Sequence, residues 1–263
     1  MRPAIWIALL IILAYALVAL GILAVHYYPG NTPQAAAPVP YSGNHSDRPV
    51  LATQVPVSPE TAPVYALTGE SAFFITWPNI SAIKTTVPTE EEAPALAEKA
   101  LEPYGGLPGD AVLMRTDRIA IKKYNTKTGT IEAEYPRYTE VRYGQEIAGH
   151  PVVGPGAGIR VDLGENGELL QVDKVWRSLT YSGEIPIISV EEAFEKLKKR
   201  ELIRVPQCCI DSLVVSDIRL GYYAEDRDSG QEYYTPVWIF YGSIHPEIDP
   251  VLHPFIVDAR RTP

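Results

Sequence analysis

The stretch ISVEEAFEKLKKREL (188–202) has a near counterpart about a hundred residues upstream, VPTEEEAPALAEKAL (87–101). In the first, Ser189 and Glu192 stand three apart as a capping box, and acidic residues fill the first turn. Val190, Ala193, Phe194 and Leu197 then recur at helical spacing. Lys196, Lys198, Lys199 and Arg200 fall at the C-terminus, where cations offset the helix dipole. In the second, Thr89 and Glu92 form the box and Ala93, Leu96, Ala97, Ala100 and Leu101 make the stripe. Pro103 and Gly105-Gly106 stop it. A run of strands follows each helix. The pattern predicts an α+β fold rather than a parallel βαβ one. It predicts two related lobes, about 64–180 and 181–263, each a helix packed on an antiparallel sheet.

Between and around these helices the residues alternate or are β-branched. Val64–Leu67 and Ala72–Trp77 read as short strands about Thr68-Gly69-Glu70-Ser71. Ala111–Lys123, Ile131–Tyr135, Tyr138–Ile147, Gly158–Leu163 and Leu169–Ser178 follow, with an Asn166-Gly167 hairpin signal before the last. Ile210–Val215, Ile218–Ala224, Thr235–Tyr241 and Phe255–Ala259 complete the set.

The first thirty residues are of a different kind. Ala4 to Val25 is an apolar run with no charge, long enough at about 33 Å as a helix to cross a bilayer core. Arg2 precedes it and the next cation is Arg48, which places the N-terminus in the cytoplasm and the rest outside. Residues 1–28 are therefore expected to be a transmembrane anchor. Residues 29–63 carry eight prolines among Ala, Ser, Thr and Asn and are expected to form an extended stalk. A folded extracytoplasmic domain, 64–263, is expected beyond it. The sequons at Asn44 and Asn79 leave glycosylation open.

Chemistry is sparse. A net charge of −9 with no basic stripe argues against nucleic acid. His245 and His253 lie with Glu247 and Asp249 in a Pro-rich loop whose spacing fits no metal motif. No Gly-x-Ser-x-Gly elbow occurs. Gly154-Pro155-Gly156-Ala157-Gly158 lacks the Lys and the helix of a phosphate cradle. No catalytic residue, cofactor or metal is expected. Cys208 and Cys209 are the only cysteines; being adjacent they cannot join distant segments, and they form a candidate redox pair.

The segment YGQEIAGHPVVG (143–154), followed by a Gly-rich turn and Ile159–Leu163, resembles the propeptide module of thermolysin-like peptidases. Ile188–Leu197 resembles the start of a PepSY domain, and TPVWIF (235–240) a segment near its end. The same order behind one membrane helix resembles YycI-type regulatory proteins, which are extracytoplasmic partners of a sensor histidine kinase. The resemblance spans about Thr89–Ala259. It implies two PepSY-like lobes that act by binding and inhibition, without catalysis, and a sensor kinase or a peptidase as the protein partner. Tyr143, Gln145, Gly149, Pro151 and Val152 are its candidate partner-binding or structural residues. The expected function is a membrane-anchored regulatory module that binds protein. The alternatives are a propeptide-like inhibitor or chaperone, a structural envelope component, and an enzyme.

Overall fold

The computed structural model of the chain describes residues 49–204, 210, 212–244 and 251–261. The expected membrane helix, the first part of the stalk, Asn44, His245 and the Cys208-Cys209 pair lie outside the described residues. The described residues belong to one compact unit, His45–Pro263.

Strands make up 53% of the described residues and helical segments 15%, so the fold is mainly β. The strands are β1 Val50–Leu51, β2 Thr61–Thr76, β3 Ala111–Tyr124, β4 Ile131–Ile147, β5 His150–Val153, β6 Gly158–Leu163, β7 Leu169–Pro186, β8 Val214–Tyr223, β9 Tyr233–Ser243 and β10 His253–Asp258. The α-helices are α1 Ala93–Leu101 and α2 Val190–Lys198. The strands join in the order β1-β8-β5-β4-β6-β7-β2-β9-β10, with β3 on β4. Because β8 also pairs with β9, the path of pairings closes on itself. β1 and β5 run parallel to β8, and every other strand pair is antiparallel.

Two lobes, each with a helix on its own antiparallel sheet, do not form; one large mixed sheet does. Long strands are the reason. β2 is a single strand of 16 residues rather than two short ones. Its expected turn is absorbed as irregularities at Val64/Tyr65 and Leu67/Gly69, as a bulge absorbs an extra residue. β2 pairs with β7 along its length and also gives Tyr65 and Ala66 to β9. β5 ties β4 to β8 in the same way. Likewise Ile131–Ile147 is one strand, with Pro136 inside it opposite Ala120.

Each helix nevertheless covers its own patch of core. Ala93, Ala97 and Leu101 of α1 pack on Val141, Tyr143, Ile159, Val161 and Trp176. Val190, Ala193 and Leu197 of α2 pack on Ile218, Trp238, Phe240, Phe255 and Val257. The Ser189–Glu192 capping box forms, and Lys196 and Lys198 occupy the last turn of α2. The Thr89–Glu92 box forms as well, with Glu92 N donating to Thr89 Oγ1 at 3.2 Å and Thr89 N to Glu92 Oε2 at 3.1 Å. The regular helix begins later, at Ala93, with Pro94 in its first turn where no backbone donor is needed.

The folded unit also begins before Val64, inside the segment read as stalk. Val50 N donates to Leu213 O and Ala52 N to Val215 O, both at 2.8 Å. Ser58 Oγ accepts from Val190 N at 2.9 Å, and Ala62 is fully buried. Proline in this stretch leaves the neighbouring donors free to join an edge, which an extended chain does without further bending.

Candidate functional site

The residues singled out by sequence are spread along β4, β5 and the turn between them. Ala148 and Gly149 both take positive φ, 50° and 81°, and close the hairpin that sets Glu146 opposite Pro151. Val152 then pairs with Tyr222 of β8 and packs with Tyr222, Ala224 and Tyr234. His150 Nδ1 donates to Leu220 O at 3.1 Å, since a carbonyl can only accept. Tyr143 lies beneath α1 and donates to Pro94 O at 3.1 Å. Burial, with Glu98 nearby, pushes its phenol up to about 12.

Gln145 leads into a buried polar junction that the sequence reading missed. Its Nε2 donates to Asp110 Oδ2 at 2.7 Å and to Arg177 O at 2.9 Å, and its Oε1 accepts from Tyr234. Trp176 Nε1 donates to Asp110 Oδ1 at 3.0 Å. Arg177, 2% exposed, reaches Glu70 Oε2 and Gln231 Oε1 at 2.8 Å and Asp226 O at 3.2 Å. Burial pushes the Tyr234 phenol up to about 12 against the pull of Arg177. A Cβ on Gly156 would stand 1.7 Å from Glu225 O, so only glycine lets the β5–β6 turn approach that loop. The junction joins β2, β4, β7 and the β8–β9 connection through satisfied hydrogen bonds. It ties these elements together, with Asp110 and Glu70 at its solvent-facing ends.

A second arrangement lies on the face of the sheet away from α1. Register puts Arg115, Arg142 and Arg160 directly opposite one another on β3, β4 and β6, with Asp173 of β7 next in line. Two residues along stand Asp117, Glu140 and Asp162. Like charges opposite one another repel unless compensated. Compensation comes from Glu140, which contacts Arg142, Arg160 at 2.8 Å and Arg115 at 3.4 Å. Asp117 holds Arg115 at 3.0 Å and Asp162 holds Arg160 at 2.8 Å. Burial opposes the charge on Glu140, but Arg142's hydrogen bond and the three guanidinium fields outweigh it and lower its pKa. For the fully buried Asp162 burial outweighs Arg160, and its pKa is raised. The spacing was open to view in sequence: RTD (115–117), EVR (140–142) and RVD (160–162) repeat an opposite-charge pair at i, i+2, the period of one strand face.

On the other side of the arginines the next row is Gly144 and Gly158, with Val175. The Met114 side chain lies over Gly144, and beside it an open groove of about 580 Å³ is walled by the three arginines, Val153, Gly154, Pro155 and Ala157. Tyr143 and Val152 also line it.

Among the described residues no group of His, Cys, Asp or Glu is placed to hold a metal, and no helix is long and apolar enough to cross a membrane. No protein-family model matches the chain, and no curated protein matches it. Among solved structures, an uncharacterized protein from Eubacterium rectale is similar over 66% of this chain, at 14% identity and a TM-score of 0.35. This chain spans about half, 53%, of that protein's length.

Proposed function

We propose that the chain is a non-catalytic, membrane-anchored module that binds another protein on the far side of the membrane from its N-terminus. The observation that carries this reading is the outer half of the β3–β4 hairpin. β6 pairs with β4 only from Thr139 to Tyr143, so Ile131–Tyr138 has β3 as its sole partner strand among the described residues. Two strands alone are marginal in water. Yet this arm carries Ile121 at 43%, Tyr124 at 50%, Ile131 at 49% and Tyr135 at 39% exposure, paired across the strands as Ile121–Tyr135 and Tyr124–Ile131. Large apolar groups kept in water on an element with no core of its own suit a contact surface. The edge of β3 adds backbone donors and acceptors for strand addition.

The apolar run Ala4–Val25 supports the anchor, and positive charge before it supports an extracytoplasmic domain. The likeness of Tyr143–Gly154 to propeptide modules, and of the whole order to YycI-type proteins, supports binding as the mode of action. Sensor kinases and peptidases are the partner classes to try first.

A photoreactive phenylalanine at position 124 in the full chain, in native membranes, tests this directly. A discrete protein adduct is expected there, with none from the same probe at Val57, which is 95% exposed in a different part of the unit. The variant carrying Ile121→Ser, Ile131→Ser and Tyr135→Ser should lose that adduct. Adducts to lipid alone, or release of the full chain from membranes by alkaline carbonate, would overturn the reading.

A further inference from the structure

We infer that the groove over Gly144 and Gly158 is a binding site for an extended acidic peptide, held by Arg115 and Arg142. The inference rests on the chain being a protein-binding module, but its site is distinct from the exposed outer arm.

Three rows of the same sheet face carry the argument. The acidic row, Asp117, Glu140 and Asp162, stands two residues beyond the arginines, on the side away from the groove. The arginine row forms the groove wall, and the glycine row forms its floor. The acids that make the arginine ladder tolerable are therefore outside the groove, and the guanidiniums are what a ligand meets. In a chain of net charge −9, this sets three guanidiniums side by side along one groove wall, each held from behind by a carboxylate. Side-chain exposure rises from 28% at Arg160 to 41% at Arg142 and 55% at Arg115. Asp173 faces Arg160 at the β7 end and repels an anion there, which directs it toward Arg142 and Arg115. Arg142 meets Glu140 through Nε, so its terminal nitrogens are left for another acceptor.

The floor selects the shape of the ligand. Strands lie about 4.8 Å apart, so the three arginines span about 10 Å, while alternate side chains of an extended peptide repeat at about 7 Å. Two carboxylates at i and i+2 can thus reach different guanidiniums, each in a charge-assisted pair. Gly158 allows a backbone to lie close, and Met114, which lies over Gly144, gives with Val153 and Pro155 an apolar border to the residues between.

Fluorescence polarization decides the matter, using full-length protein in detergent and a labelled octapeptide of alternating Glu and Leu. Saturable binding is expected, weakened by salt, and absent for the Lys–Leu counterpart. Arg142→Gln should lower affinity about tenfold, the loss of one charge-assisted pair. Met114 is 57% exposed, so its variants leave the core untouched. Met114→Glu should weaken binding and Met114→Lys should not. The serine variant of the arm should bind the peptide normally, which separates failure of this site from failure of the arm. No saturable binding by folded protein, or equal binding by Met114→Glu and Met114→Lys, would overturn the inference.

Discussion

Glu140 shows how one residue settles a local conflict. Three guanidiniums in register would repel, and a single carboxylate, its side chain 6% exposed, touches all three. Its folded pKa is lowered, so its share of stability is present above the ordinary value of 4.5 and is lost as pH falls below it. Asp162 has the opposite sign: its pKa is raised, so its share is present at low pH and is lost as pH rises through the folded value. Glu140→Gln is expected to cost about 1 kcal/mol at pH 7, because the three guanidiniums that lose their shared partner are 28% to 55% exposed and water screens them. The cost should shrink as pH falls below 4.5 and the native carboxyl gains its proton in turn, and chemical denaturation at pH 7 and at a series of lower pH values measures the difference. Asp162→Asn should cost less than Glu140→Gln at pH 7. A pH-independent loss for Glu140→Gln would mean that shape rather than charge is what the residue supplies.

At the level of elements, the β3–β4 hairpin divides into two halves of different character. The inner half is pinned by β6 from Thr139 onward and lies over the core under α1. The outer half has neither support. Amide exchange should therefore be slow at Val141–Tyr143 and fast at Ala120–Tyr124 and Ile131–Tyr135, with the boundary near Thr139. Binding of a partner to the arm should slow the outer amides without changing the inner ones. Uniform protection in the unbound protein would show that the arm is stabilised by something other than β4. The helices, by contrast, were legible from local chemistry. Both capping boxes form where Ser189–Glu192 and Thr89–Glu92 placed them, since a cap depends on residues three apart. Strand ends were not legible, because Gly69 and Pro136 signal breaks that a long neighbouring strand overrides.

For the molecule as a whole, the start of the folded unit is the boundary that matters. A chain beginning at His45 should fold with the stability of the full chain. One beginning at Val64 should be weaker by about 2 kcal/mol or more, because it lacks β1, the Ser58 hydrogen bond to α2 and buried Ala62. Thermal unfolding of the two truncations distinguishes these boundaries, and equal midpoints would restore Val64 as the start. The sequence by itself determined what depends on near neighbours: an apolar run of membrane length, two capped helices and a strand-rich remainder. Tertiary structure alone decided that long β2 and short β5 weld the strands into one mixed sheet. It alone placed Gln145, Asp110 and Arg177 in one junction, and three arginines side by side along a groove. Pairing register and burial set those outcomes, and both are relations between residues far apart in the chain, which local pattern does not encode.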